Sequence, residues 1–270
     1  MSTAGRDSTI IVIPCYNEAE RLDVASFRSF AAATPGVRFL FVDDGSTDGT
    51  ATVLSALVAS DPHSFECIHG ERNRGKAEAV RTGMARALRH GRYVGYWDAD
   101  LATPLSEIPR FIALLDDQPH IEICFGARVQ LLGRDIQRRA YRHYIGRLFA
   151  TAASLSLALP VYDTQCGAKL FRASPRVQAL FAEPFLGRWT FDVELIARLS
   201  WQSADDPTRC PSRVIYELPL TAWRDAGGSK VKAADLFTAL VELQRIRRKY
   251  HPGRGKFAMT RKSVPLPHGS

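Results

Sequence analysis

The chain has 270 residues, 46% of them hydrophobic and 24% charged, with a formal net charge of +8. That balance excludes a disordered, collagen-like or low-complexity protein and leaves room for a substantial core. The positive excess points to anionic partners: nucleic acid, a membrane surface or phosphorylated ligands. Five scattered cysteines (Cys15, Cys67, Cys124, Cys166 and Cys210) form no C-x-x-C pair. Neither a disulfide framework nor a zinc site is therefore expected, and a reducing cytosol is the default compartment. Met1 to Thr9 is polar and lacks the apolar centre of a signal peptide. No stretch reaches the roughly 18 apolar residues of a spanning helix. Leu148 to Val161 comes nearest, but it is short and contains Thr151, Ser154 and Ser156.

In chain order, Ile10 to Ile13 is a β-branched run ended by Pro14, suited to a central parallel strand. Residues 18–33 predict a helix with Leu22, Phe27 and Phe30 among polar positions. A second strand, Arg38 to Asp43, runs into the turn Asp44-Gly45-Ser46-Thr47-Asp48-Gly49, followed by a helix from Thr50 to Ala59. Phe65 to His69 is a third strand, Asn73 to Arg89 a long helix, and Tyr93 to Trp97 a fourth strand. This alternation predicts a mostly parallel sheet with helices on both faces. Beyond residue 104 the pattern becomes mixed, with a helix near 105–117, a strand near 121–125, a basic segment over 128–147 and a strand over Val214 to Leu218. Ala233 to Tyr250 predicts an amphipathic helix with Leu236, Leu240, Leu243 and Ile246 on one stripe, and a loose tail after Pro252.

The residues that carry chemistry fall at the carboxyl ends of the strands, where ligands bind in such sheets. Asp98-Ala99-Asp100 follows the fourth strand, and a short acidic pair there can seat a hard cation carrying a diphosphate. Mg²⁺ and Mn²⁺ suit it equally. Pro14, Tyr16 and Glu18 follow the first strand, where an aromatic ring can pack on a nucleobase; the alternative is a plain turn with Glu18 in the first helical turn. Asp44 ends the second strand, and Asp48 with its glycines builds the turn. Lys76 stands near a helix N-terminus, which favours an anion, although an exposed helix lysine reads the same way. Six arginines at 128, 134, 138, 139, 142 and 147 face the single acid Asp135, either as bidentate phosphate forks or as a solvated face. Asp192 and Glu194 lie two apart on a predicted helix and so do not share a face. Cys166 reads as a packed small residue.

Three stretches, IVIPCYNEAERL (11–22), FVDDGSTDGT (41–50) and YWDADLATP (96–104), resemble the family 2 inverting glycosyltransferases of GT-A fold. DTQCGAKLF (163–171), TFDVELIARL (190–199) and GGSKVK (227–232) are similar to one branch, the dolichyl-phosphate β-glucosyltransferases. The resemblance covers roughly residues 10–232. It implies an α/β GT-A domain over 10–232, after a disordered 1–9 and before a basic amphipathic helix and tail over 233–270. Its eukaryotic members carry an N-terminal membrane helix, which this sequence does not show.

By resemblance, the chain is a hexosyltransferase moving glucose from UDP-glucose to a polyprenyl phosphate with inversion, using Mg²⁺ or Mn²⁺. Pro14, Tyr16, Glu18, Asp44, Lys76, Asp98, Ala99 and Asp100 would bind the donor, with Asp98 and Asp100 on the metal. Arg128, Arg138, Arg142, Ser229 and Lys230 would engage the acceptor phosphate. Asp163 would order those arginines or a sugar hydroxyl, unless it only caps a turn. Asp192 would be a base for a hydroxyl acceptor or a sugar ligand. Asp100, Arg128, Asp163 and Asp192 are the catalytic candidates.

The basic run Arg245, Arg247, Arg248, Lys249, Arg254, Lys256, Arg261 and Lys262 suits peripheral attachment to the cytoplasmic membrane face, with a solvated tail as the alternative. A competing function keeps the donor site but glycosylates a protein or small-molecule hydroxyl. A nucleotidyltransferase lacks support, since Pro14-Cys15-Tyr16-Asn17 stands where its Gly-rich loop would be. A non-enzymatic nucleic-acid binder fits the charge, but no helix-turn-helix, zinc-finger or RNP-type signature accompanies it.

Overall fold

The structure is a computed structural model that describes residues 8–130, 132–137, 151, 153, 154, 157, 159, 161–224 and 233–250. The expectations for residues 1–7, Arg138, Arg139, Arg142, Arg147, Ser229, Lys230 and the tail beyond Tyr250 lie outside the described residues.

Over the first hundred residues β1 (Thr9–Cys15), α1 (Val24–Ala33), β2 (Val37–Asp43), α2 (Thr50–Ser60), β3 (Phe65–His69), α3 (Lys76–Ala87) and β4 (Tyr93–Trp97) alternate. Then follow α4 (Ile108–Asp117), β5 (Ile123–Ala127), β6 (Asp135–Gln137), β7 (Ala168–Arg172), α5 (Pro175–Leu180) and α6 (Phe191–Gln202). The last elements are α7 (Pro211–Val214), β8 (Ile215–Pro219), β9 (Ala222–Arg224) and α8 (Ala233–Tyr250). Seven strands form one sheet in the order β3-β2-β1-β4-β7-β5-β8, and β6 pairs with β9 in a separate ribbon. Only β7 runs against its neighbours in the large sheet, pairing antiparallel with both β4 and β5. The architecture is the expected α/β GT-A type, mostly parallel.

The β-branched and aromatic strands are buried on both faces, as central parallel strands must be. Ile10 and Val12 of β1 join Leu40, Val80, Met84, Ile196, Leu243 and Ile246 on one side. Ile11 and Ile13 join Phe27, Phe39, Phe41, Leu54 and Phe111 on the other. The period-two side-chain alternation of a strand therefore sends α3, α6 and α8 to one face and α1, α2 and α4 to the opposite one.

Strand order reverses between β1 and β4. Beside β2, β1 keeps register through Cys15, but beside β4 it pairs only from Thr9 to Val12. Past Val12 the two strands part, and a crevice opens at the topological switch point where this class of sheet takes its ligands.

Several sequence expectations change. Pro14 does not end β1; it pairs in register with Val42 inside the strand, beyond the last β4 pairing, where a missing N–H costs no ladder bond. The first helix starts at Val24, because the Asp23 side chain accepts from Ser26 N and caps it there. Glu18 therefore lies in the preceding loop, and Asp44 lies just after β2. The proposed apolar stripe of α8 is largely internal: Leu243 and Ile246 are buried against the core, while Leu240 is exposed. Those two residues are thus unavailable to a membrane. No helix among the described residues is long and apolar enough to cross one.

Because Ile246 is fully buried, Ile246→Ala should cost about 3 kcal/mol of stability in urea unfolding. A loss under about 1 kcal/mol would mean that α8 does not belong to the core.

Candidate active site

Loops from β1, β2 and β4, together with the entry into β7, meet at the carboxyl edge of the sheet. The β1 and β2 loops are stitched crosswise. Asn17 N donates to Ser46 Oγ at 3.0 Å, Glu18 N to Thr50 Oγ1 at 2.8 Å, and Thr47 N to Asn17 Oδ1 at 2.9 Å. Asn17 takes a positive φ of 54°, which an asparagine tolerates and which turns the loop back over the sheet edge. Asp48 accepts from Thr50 N and Ala19 N, the turn-building role expected of it. Tyr16 projects outward, 42% exposed.

Asp44 is buried, and its two oxygens accept from Arg74 N at 2.9 Å and Gly75 N at 2.6 Å. It thereby fixes the turn into α3. Each oxygen keeps a second lone pair, so a pyrimidine N–H can still be accepted. Gly75 has φ of 95°, and a Cβ there would meet Arg188 Nε at 2.7 Å. Lys76 follows at the start of α3 and reaches across the crevice to Asp98, with Nζ 2.5 Å from Oδ1. Crowding by protein opposes the ammonium charge, but Asp98 and then Asp192 outweigh it and raise the Lys76 pKa above the ordinary lysine value.

Asp98 rests over the chain entering β7. A side chain on Gly167 would collide with the Asp98 carboxylate, so glycine in DTQCG leaves space for that group. Asp100 Oδ1 accepts from Ala102 N at 3.0 Å, and Leu101 between them has a φ of 51°. Asp100 is exposed to solvent. The surrounding protein and then the Asp98 charge push its carboxyl pKa up. Glu18 is pushed up by burial, with Asp100 adding to the rise, and its Oε2 is buried without a partner. Asp100 thus stands in repulsion with Asp98 and with Glu18, which are themselves paired with Lys76 and Arg21, and a further cation would relieve it. Asp98 and Asp100 are hard oxygen donors that fit Mg²⁺ or Mn²⁺, with a diphosphate completing the shell. Among the described residues no group of three or more His, Cys, Asp or Glu side chains is already arranged around a metal position.

On the far side of the Gly167 loop, Arg128 at the end of β5 forks onto Asp163. Nε to Oδ2 and Nη2 to Oδ1 are both 2.7 Å, and Arg128 N adds a bond to Oδ2. Burial pulls the guanidinium pKa down, but Asp163 outweighs it and the net direction is upward, with Asp98 contributing. Asp98 and Arg128 therefore share one electrostatic neighbourhood. Glu217 accepts from Tyr162 N and Asp163 N, holding that loop.

Asp192, in the first turn of α6, is met from below by a lysine that sequence reading did not single out. Lys169 in β7 is fully buried and sits 2.8 Å from Asp192 Oδ1, and Tyr96 OH donates to the same oxygen. The Lys169 signal was present as a lone cation in the apolar run Ala168 to Phe171. Glu194 faces away and binds Arg198 at 2.8 Å, a structural pair. Burial raises the Cys166 thiol to about 11, so it is no thiolate nucleophile, in keeping with a packed residue. Arg134 is half-buried. A concavity of about 770 Å³ is lined by Ser26, Phe30, Leu101, Leu105 and Arg224 rather than by the carboxylates.

The model of glycosyl transferase family 2 matches residues 10–176, from β1 through the start of α5. The chain belongs to this family. It is 27% identical over 250 residues to a dolichyl-phosphate beta-glucosyltransferase of Trichomonas vaginalis, covering 88% of this chain and 70% of that one. It is 33% identical over 209 residues to the dolichyl-phosphate beta-glucosyltransferase of Drosophila melanogaster, covering 69% of this chain and 60% of that one. The chain thus spans 60% to 70% of the length of these relatives. Among solved structures it is similar to glucosyl-3-phosphoglycerate synthase from Mycobacterium tuberculosis, crystallised with Mn²⁺, UDP and glucosyl-3-phosphoglycerate. That likeness has a TM-score of 0.61 at 18% identity over 92% of this chain and 80% of that one. At that identity the match establishes the GT-A fold. The glycosyltransferase has its Asp-x-Asp at the β1/β4 crevice.

Asp100→Asn should raise the melting temperature at pH 7 by about 1–3 °C while abolishing the Mn²⁺-dependent stabilisation by UDP. A carboxyl whose folded pKa lies above its unfolded value costs stability once both states are ionised. The gain should therefore fade as pH falls through the folded pKa, and vanish below the unfolded one. A lower melting temperature at pH 7 would contradict the repulsion. Gly167→Ala should also lose the UDP and Mn²⁺ response, by displacing Asp98; an unaltered response in a thermal-shift titration would show that Asp98 is not placed by this contact.

Proposed function

We propose that this glycosyltransferase moves a hexose, with inversion, from a UDP-sugar to an acceptor that carries a phosphate group. The observation that carries the reading is the crevice where Lys76, Asp98 and Asp100 stand together beside the Glu18 loop. A departing diphosphate needs its charge neutralised, which is the work of pre-positioned cations. Asp98 and Asp100 would hold Mg²⁺ or Mn²⁺, which when bound supplies Lewis-acid stabilisation of the leaving UDP. Lys76 and the N-terminal amides of α3 present positive charge to the same phosphates. The Tyr16 ring offers a face for the uracil, and Asp44 an acceptor for its N–H.

Two acceptors share the phosphate. The dolichyl-phosphate relatives support a polyprenyl phosphate, whose own oxygen would attack the anomeric carbon. The name of the mycobacterial synthase supports the hydroxyl alternative: a small phosphorylated molecule attacking through an OH. A phosphate monoester has its second pKa around 6 and reaches neutral pH as a dianion that needs no base. The internal pairing of Asp98 with Lys76, Asp163 with Arg128 and Asp192 with Lys169 suits that acceptor, because each carboxylate already serves a cation. A hydroxyl acceptor would instead call on Asp192, oriented by Tyr96 and Lys169, as its base. Glucose is the hexose in the relatives' names. With a lipid acceptor, the exposed Arg245, Arg247, Arg248 and Lys249 of α8 would face the anionic membrane surface.

Incubation with UDP-glucose, Mn²⁺ and either a short polyprenyl phosphate or a soluble phosphorylated alcohol, read by mass spectrometry, separates these acceptors. Transfer to the lipid phosphate should survive Asp192→Asn within about tenfold, whereas transfer to a hydroxyl should fall by about 10²–10⁴. No hexosyl product with any phosphorylated acceptor would contradict the proposal.

A further inference from the structure

The C-terminal helix α8 carries a buried carboxylate, Glu242, that no step of the proposed chemistry uses. Its oxygens accept from Arg188 N at 3.0 Å, Thr190 N at 3.3 Å and Thr190 Oγ1 at 2.8 Å. A Cβ on Gly187 would press against Glu242 and come within 2.5 Å of Thr190 Oγ1, so the 187–190 loop is wrapped closely about this carboxylate. The two ends of that loop lead to two parts of the crevice. On one side Arg188 Nη2 donates to Asn73 Oδ1 at 3.0 Å, and the guanidinium lies over Gly75, immediately before Lys76. On the other side Thr190 opens α6, accepting from Val193 N and Glu194 N, two residues from Asp192.

We propose that Glu242 and Arg188 are positioning residues that couple the C-terminal helix to the donor site, holding the Arg74–Gly75–Lys76 turn for the UDP diphosphate. The inference rests on the UDP-sugar reading above. Asp44 grips this turn from the sheet side through the Arg74 and Gly75 amides. Arg188 closes it from the outer side, where Gly75 has no Cβ to meet the guanidinium. The turn is thus held from two directions, one of them by Arg188, 115 positions from Asn73 in sequence. Arg188 is itself exposed, so its guanidinium contributes to this arrangement more than to the core. Helix α8 is anchored at a second point, Tyr250 OH to Glu194 Oε1 at 3.1 Å, which keeps Glu242 in register with the loop.

Calorimetric titration of the full chain with UDP in saturating Mn²⁺ tests the coupling. Arg188→Ala should weaken UDP binding on the order of tenfold with an unchanged melting temperature. Glu242→Gln, which sets an amide NH₂ against backbone N–H donors, should weaken it similarly. The double variant should be no weaker than the worse single one, because both act through one contact. In turnover, donor KM should rise while kcat stays within about twofold. Wild-type affinity in Arg188→Ala, or effects that multiply in the double variant, would overturn the coupling even if the wild-type chain binds UDP well. Absence of UDP binding by the wild-type chain would overturn the donor assignment as well.

Discussion

Repulsion of Asp100 with the neighbouring Asp98 and Glu18 carboxylates at one sheet edge is the constraint that shapes the crevice. Parallel β1 and β4 diverge after Val12, and their loops bring Glu18, Asp98 and Asp100 to the mouth of the gap. Such a cluster raises the energy of the folded chain unless positive charge joins it. Lys76 supplies some to Asp98 from α3 and Arg21 some to Glu18, and a divalent ion would supply more. Ligand binding would recover the stability given up at this edge and so link occupancy of the crevice to the firmness of the fold.

The remaining acids of the crevice are matched differently. Asp163 is forked by Arg128, and Asp192 is held by Lys169 beneath it and Tyr96 beside it. Breaking one buried pair of this kind typically costs about 3–5 kcal/mol, because a charge is left stranded. These pairs fix geometry. The reversed strand β7 makes both arrangements compatible: its entry loop brings Asp163 to Arg128 and Gly167 beneath Asp98, and the strand itself places Lys169 under Asp192. One antiparallel strand in an otherwise parallel sheet thus sets the spacing between the Asp98 loop and the Arg128–Asp163 pair.

Much of the first hundred residues was legible because local and global preferences agree there. Buried parallel strands need continuous β-branched or aromatic runs, and β3 and β4 match their expected limits residue for residue. The start of α1 was misplaced because Ala19 to Leu22 have helix-compatible composition, whereas the Asp23 cap and the tie of Glu18 to Thr50 are settled by tertiary contacts. Strand β7 was not read as a strand, since five residues within a motif give no clear period. Asp98, Asp100, Lys76, Arg128, Asp163 and Asp192 converge on the crevice, and they were legible as polar residues at strand and helix ends. Their pairing was not, and neither was the inward face of α8. Pairing depends on which strands become neighbours, a non-local property that a run of residues does not encode by itself.

On this reading the acidic crevice would need a nucleoside diphosphate to become a good metal site. Electron paramagnetic resonance of Mn²⁺ titrated with the chain, with and without UDP, addresses it most directly. Weak binding alone and at least about tenfold tighter binding with UDP is the expected result. Equal Mn²⁺ affinity in the two titrations, or none in either, would contradict the account.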